Sequence, residues 1–265
     1  MSLSLQEIRA LIIDIDGVLW NGTRTQPGIA EFFQLLRARA IKFVIASNNS
    51  ARPASDIVAR LARENARVTE SEILTSAEAT ARYLPRLVSR GARVFLVGGA
   101  GIADALTRAG FQLVEENADV VVAGLDLQFT YTKLARAMRE IRNGAKFIGT
   151  NADKTFPSED GLAPGAGAML DAIKSATDVA PIVIGKPERA MFDLAVEQLQ
   201  TPREFVAMLG DRLDTDIEGA QRAELNSILV LSGVTTREIL SHARVQPDFV
   251  FEDIRALTRA WQTPP

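Results

Sequence analysis

The 265-residue chain contains no cysteine. Disulfides, thiol nucleophiles and Cys-ligated zinc are therefore excluded, and the expected compartment is a reducing one. A single histidine is present, His242 in "EILSHARVQ", and it reads as a surface residue near the end of an amphipathic helix. Acid–base chemistry must then fall to carboxylates, lysine or tyrosine. There is no Lys/Arg-rich run, and a net charge of −3 with a pI near 5.4 argues against a basic face that tracks nucleic acid. No apolar stretch approaches membrane-spanning length, and "MSLSLQEIRA" lacks a basic segment followed by an apolar run. The expectation is a cytoplasmic protein with neither nucleic acid nor membrane as partner.

Hydrophobic residues make up 47% and charged residues 24%, an ordinary balance for a folded chain of one large or two modest domains. Short β-branched runs alternate with helix-length segments. Predicted strands are 11–14, 42–47, 93–98, 119–124, 146–150, 181–185, 205–210, 227–233 and 248–251. Predicted helices include "GIAEFFQLLRARA" after Pro27 and "RAMFDLAVEQL" after Pro187, both with apolar residues at three- and four-residue steps. This pattern predicts an α/β fold with a doubly wound parallel sheet. The strands are many for one sheet, and the polar, Gly/Pro-rich "TNADKTFPSEDGLAPGAG" (150–167) interrupts the alternation, so an inserted unit is expected over about 79–181.

Four polar islands follow predicted strands, at the sheet edge where open α/β folds bind ligands. They are "DIDG" at 14–17, "SNNS" at 47–50, "GKPE" at 185–188 and "GDRLDTD" at 210–216. Singly, each reads equally well as a turn or a helix cap. Together they gather Asp14, Asp16, Asp211, Asp214 and Asp216 at one edge, which is costly without a hard cation. An all-oxygen set suits Mg2+. Lys186, Ser47 and Asn48 add a positive charge, a hydroxyl and amide groups that suit a phosphate. One carboxylate of the Asp14/Asp16 pair can attack phosphorus while the other exchanges a proton with the leaving oxygen. "GGAG" at 98–101 lacks the third glycine of a dinucleotide fingerprint, having Asp104 there, and reads as a tight turn; "SGVTT" at 232–236 reads as a strand-to-helix turn with a Ser/Thr cap.

The ordered runs "LIIDIDGVLWNG", "ASNNSARP", "FIGTNADKTFP", "GLAPGAGAMLDAI", "PIVIGKPE", "MLGDRLDTDIEGA" and "ILVLSGVT" span nearly the whole chain. They resemble the haloacid dehalogenase (HAD) superfamily of phosphatases, in its NagD-like or para-nitrophenyl phosphatase branch. The resemblance implies a Rossmann-like HAD core over 1–78 and 182–265 with an α/β cap over 79–181. It implies Asp14 as a nucleophile forming an aspartyl-phosphate, and Asp16 as acid and base that also offers its backbone carbonyl to Mg2+. Ser47 and Asn48 are implied as phosphate contacts, Lys186 as the group positioning phosphate and nucleophile, Asp211 as a side-chain metal ligand and Asp216 as the partner of a metal-bound water. The role of Asp214 stays open. The loop Asn151 to Phe156 resembles a substrate-facing segment, which brings in Asn151 and Asp153.

The expected function is Mg2+-dependent hydrolysis of a small phosphorylated metabolite: a sugar phosphate, nucleotide, phosphoglycolate or pyridoxal phosphate. Two other classes stay open, a response-regulator-like phosphoacceptor and a catalytically silent binding protein on the same fold. Relatives often dimerise through the cap, which leaves a homodimer open.

Overall fold

The computed structural model describes residues 3–51, 53–158 and 161–262. Arg52, Glu159 and Asp160, which fall inside two of the runs quoted above, lie outside them. The chain divides into two compact units. The first takes Met1–Ser47, Ala54–Leu74 and Lys186–Pro265, the second Asn48–Pro53 and Thr75–Gly185. The second unit therefore includes a six-residue segment, Asn48–Pro53, that sequence reading placed wholly in the core.

The first unit is built on a six-stranded sheet. Its spatial order is Phe249–Phe251, Asn226–Val230, Val206–Gly210, Ala10–Ile13, Lys42–Ser47, Ile73–Thr75. Every residue of Ala10–Ile13 and of Val206–Gly210 is buried. Central strands covered on both faces need unbroken apolar runs rather than alternation, which is what "ALII" and "VAML" supply. These two strands pair in parallel, Ile13 opposite Leu209, and the first also pairs in parallel with Lys42–Ser47. The chain thus steps outward from Ala10–Ile13 on one side, then returns to its other flank at Val206–Gly210 and steps outward again. The strand order reverses between those two strands, and a crevice at their carboxyl ends is the binding position of an open α/β sheet. Asp14 and Asp211 are the next residues after them.

The helix Ile29–Ala38 buries Ile29, Phe32, Phe33 and Leu36, a spacing that puts all four on one face. Phe33 meets Phe32 and Phe43 edge-on at centroid distances of 5.5 and 5.0 Å. The helix Arg189–Leu199 matches the second predicted helix.

The second unit has a five-stranded sheet, ordered Ile182–Val183, Lys146–Gly149, Val120–Ala123, Arg93–Val97, Gln112–Leu113, with all pairings parallel. Its own core joins Phe95, Val121, Phe147, Leu170 and Ile173. Among the described residues no helix is long and apolar enough to cross a membrane.

All nine predicted strands are present. Sequence reading missed the edge strands Ile73–Thr75 and Gln112–Leu113 and two hairpins, Trp20–Asn21 with Arg24–Thr25 and Thr155–Ser158 with Gly161–Pro164. All are two to four residues long, too short for a period to show. The expected loop through Phe156 accordingly ends sooner, because Thr155 and Phe156 are already in a strand. Phe33→Ala is expected to lower the stability of the first unit by about 3–5 kcal/mol, the usual cost of emptying a phenylalanine site. A urea unfolding midpoint unchanged from wild type would contradict that.

Candidate active site

Asp14 continues the ladder of the first strand, its N–H donating to the Leu209 carbonyl at 2.8 Å. Its side chain therefore leaves the sheet at a fixed point. Asp211 is the first residue past the neighbouring strand, Val206–Gly210. A single wide turn, a π-helix over Leu213–Ile217, then carries Asp216 back beneath Asp211. There the Asp216 Oδ2 accepts the N–H groups of Asp211 and Arg212 at 3.2 and 3.1 Å. Lys186 precedes the helix Arg189–Leu199 and is buried, with its Nζ donating to Asp14 Oδ1 at 2.6 Å and to Asp216 Oδ1 at 2.7 Å. Asp14, Asp211 and Asp216 each offer a carboxylate oxygen within 4.8 Å of the others. Four of the residues singled out from sequence are thereby brought together.

The electrostatics follow from burial. It pushes the Asp14 carboxyl well above the ordinary range; Lys186 opposes the rise, and Asp216 and Asp211 add to it. Burial, then the Asp216 charge, lifts Asp211 to about 7. On Lys186 burial works against the charge, but Asp14 and Asp216 more than offset it and hold the ammonium firmly protonated. Asp211 Oδ2 accepts from the Val234 N–H at 2.6 Å. Asp211 Oδ1 has no hydrogen-bond partner, the one such buried side-chain atom among the described residues.

Asp16 lies in a tight turn, where the Gly17 N–H donates to the Trp20 carbonyl at 2.7 Å. Gly17 has φ +84°, and a Cβ there would fall 2.2 Å from Asp211 Oδ2, so only glycine fits. A Cβ on Gly233 would fall 2.0 Å from the same oxygen, and one on Gly210 would fall 2.3 Å from the Asp216 Cβ. The Asp16 side chain reaches solvent. Its carboxyl still loses enough water to its neighbours that its pKa is raised, with Lys186, a Trp20 hydrogen bond and Arg60 limiting the rise. Its carboxylate is outside the three-acid cluster. Asp214 is exposed and paired with Arg212, whose Nε and Nη2 donate to it at 3.0 and 2.8 Å.

Ser47 is buried at the end of its strand in the first unit. Asn48, Asn151 and Asp153 belong to the second unit and form one network within it. The Asn48 carbonyl accepts from Ser76 Oγ and from Asn151 Nδ2, both at 2.6 Å. The Asn48 Nδ2 donates to Asp153 Oδ1 at 3.2 Å, and the Asp153 N–H donates to Asn151 Oδ1 at 3.2 Å. Asn151 is buried and Asp153 half-buried. The "GGAG" run begins the helix Ala100–Arg108, and a Cβ on Gly101 would fall 2.8 Å from the Ser50 carbonyl, so that glycine serves close packing on Asn48–Pro53. Thr236 caps the helix Arg237–Ser241, accepting from the Ile239 N–H. The sequence assigns no role to Ser76, Trp20, Arg60 or Ser232; the "LW" after "DIDGV" and the serine of "SGVTT" are the visible pointers to two of them.

The profile of haloacid dehalogenase-like hydrolases matches residues 11–112, and a second, HAD-hydrolase-like profile matches 183–257. An acid sugar phosphatase of Staphylococcus saprophyticus is 37% identical over 256 residues, covering 96% of this chain and 98% of that protein. The crystal structure of a 4-nitrophenylphosphatase from Thermotoga maritima superposes with a TM-score of 0.92 at 37% identity, covering 97% of this chain and 99% of the other. A glycerol phosphate phosphatase from Mycobacterium tuberculosis, solved in complex with magnesium, superposes at 0.88 with 34% identity, covering 97% and 78%. Likeness of this extent, over a carboxylate cluster at the sheet's switch point, shows the family: the chain belongs to the haloacid dehalogenase-like hydrolases and is a phosphatase of their NagD-like, para-nitrophenyl phosphatase branch.

Proposed function

We propose that the chain hydrolyses small phosphate monoesters through a phosphoryl group carried on Asp14, with Mg2+ as its metal. The observation that carries this reading is the charge balance of the buried site. Three carboxylates against one ammonium leave a formal charge of −2, and the unpartnered Asp211 Oδ1 lies among them. Buried charge of that size calls for a divalent cation, and a set of oxygens alone suits a hard one. Asp14, Asp211 and Asp216 would hold it, together with the Asp16 backbone carbonyl. When bound, the metal would neutralise charge on the phosphate oxygens.

In the first step an Asp14 carboxylate oxygen bonds to phosphorus as the bond from phosphorus to the leaving oxygen breaks, and Asp16 gives that oxygen a proton. In the second, water attacks the same phosphorus and Asp16 takes its proton, releasing phosphate and restoring the Asp14 carboxylate. Lys186 holds the Asp14 carboxylate in place through both steps, and Ser47 and Asn48 stand as phosphate contacts. We read the second unit as the cap, and within it the half-buried Asp153 is a better candidate for substrate contact than the buried Asn151. The relatives' substrates, a sugar phosphate, a nitrophenyl ester and glycerol phosphate, share only the monoester. The substrate expected here is accordingly a small phosphorylated metabolite, to be found by comparing kcat/KM across a panel.

Asp14→Asn is expected to keep the fold and lose nearly all turnover of para-nitrophenyl phosphate, because an amide cannot accept the phosphoryl group. Near wild-type kcat in that variant would sink the mechanism. Chelation is expected to abolish activity and Mg2+ to restore it, whereas full turnover in chelator would contradict the metal assignment.

A further expectation concerns the metal-free protein. Asp211 has a folded pKa of about 7 against 3.8 unfolded. Between those values the folded state holds a proton the unfolded chain has released, so stability falls as pH rises from about 4 to 7. Thermal melts in chelator should show that fall, and Asp211→Asn should make it shallower. Equal slopes in the two proteins would mean that Asp211 does not carry this charge burden.

A further inference from the structure

The hairpin after Asp16 is anchored on both edges, and one anchor reaches the Asp16 carboxyl itself. Trp20 opens the hairpin and is buried, and its side chain lies close enough to that carboxyl to limit the rise of its pKa. Asp16 and Trp20 also pair through their backbones in an isolated bridge. Arg60, on the helix Ala54–Arg63, lies over the Trp20 ring with its guanidinium carbon 4.0 Å from the centroid. Its Nη2 donates to the Gly22 carbonyl at the hairpin turn, 2.8 Å away. One arginine thus clamps both the ring and the turn. Next to that helix, Glu64 Oε1 accepts from Thr25 Oγ1 at 3.0 Å. On the other edge the Ser232 carbonyl accepts from Asn21 Nδ2 at 2.8 Å, and Ser232 Oγ donates to the Gly17 carbonyl at 2.7 Å.

Asp16 pairs with Trp20 through the backbone, and the Gly17 N–H donates to the Trp20 carbonyl at 2.7 Å, so fixing the Trp20 ring fixes the chain against which Asp16 is set. The cation over its face supplies that fixation, since guanidinium stacks well on tryptophan. Asp16 needs it more than its neighbours do. Asp14, Asp211 and Asp216 are buried and held by Lys186 or by backbone N–H groups, whereas the Asp16 side chain reaches solvent. A general acid must sit within hydrogen-bond reach of its proton acceptor, and an acid at liberty to rotate meets that demand only part of the time.

We propose that Trp20 and Arg60 are positioning residues for Asp16, the stacked indole fixing where its carboxyl meets first the leaving oxygen and then the attacking water. The inference rests on the acid–base role assigned to Asp16 in the reading above.

The test uses Trp20→Leu, which keeps an apolar side chain and removes the ring under the guanidinium, and Arg60→Gln, which removes the cation. Arg60→Lys restores it. Para-nitrophenyl phosphate releases a leaving group that needs little proton donation, and phenyl phosphate releases one that needs it. Acid–base catalysis supplies about 10²–10⁴-fold, so mispositioning the acid should cost about tenfold in kcat/KM on phenyl phosphate and about twofold or less on the nitrophenyl ester. Slower hydrolysis of the phosphoryl-enzyme should also expose a stoichiometric burst of nitrophenolate in stopped flow, and Arg60→Lys should recover most of the loss. A hairpin that matters only for folding would scale every step by the fraction of intact enzyme. Equal losses on both esters, or no loss on either, would overturn the inference. Asp16→Asn run in parallel separates the two levels: if it fails to discriminate between the esters, the role of Asp16 falls and the inference with it. If it discriminates and the Trp20 and Arg60 variants do not, only the positioning claim falls.

Discussion

A buried ammonium held between two buried carboxylates is the contact on which the rest of the structure depends. Lys186 could not stay charged so far from water without Asp14 and Asp216, and its charge in turn opposes the rise that burial forces on Asp14. The three residues have to arrive together. The strand ladder delivers Asp14, the wide turn over Leu213–Ile217 delivers Asp216, and the start of the helix Arg189–Leu199 delivers the lysine. What they leave uncompensated is concentrated on Asp211, and that residue gives the site its appetite for positive charge.

The sheet explains how partners 172 residues apart in the chain can meet. Parallel strands all end on the same side, so a residue just past one strand is set beside a residue just past its neighbour. Because Ala10–Ile13 lies in the middle of the order and the chain departs from it in both directions, its end and that of Val206–Gly210 are not roofed by a direct connection. The carboxylates sit where the backbone leaves room. The same logic separates two kinds of residue in the site: those on strand ends, whose positions the ladder dictates, and Asp16, whose position depends on a small hairpin and on what grips it.

That division also sets what could be read without coordinates. The central strands are unbroken apolar runs, so their ends could be located to within a residue or two, and Asp14 and Asp211 stood out as charges just past such ends, with Lys186 after the short edge run at 182–183 and Asp216 in the turn that follows Asp211. Arg60 could not stand out. On a helix whose Asp56 and Arg63 are exposed it looks like one more solvated charge, and its stacking on Trp20 depends on where a two-residue strand turns. The environment of Asn151 was hidden for a similar reason: an asparagine in a polar run looks exposed, yet its amide is used inside the second unit to hold the Asn48 carbonyl. The strand Ile73–Thr75 has three residues, fewer than any pattern needs. Close backbone approach left only a faint mark, the glycines themselves, with nothing to say which neighbour each one admits.

Gly17, Gly233 and Gly210 press the main chain directly against the Asp211 and Asp216 side chains, leaving no volume for even a methyl group. A wall made of main chain has no side chain to exchange. Point substitution therefore has almost no means of enlarging, reshaping or recharging the pocket around those two acids without pushing one of them out of place. Novelty in such a molecule has to be written elsewhere, in segments whose side chains face open space. The chemistry and the choice of what undergoes it can then drift independently, the first held still by the absence of Cβ atoms and the second free to vary residue by residue.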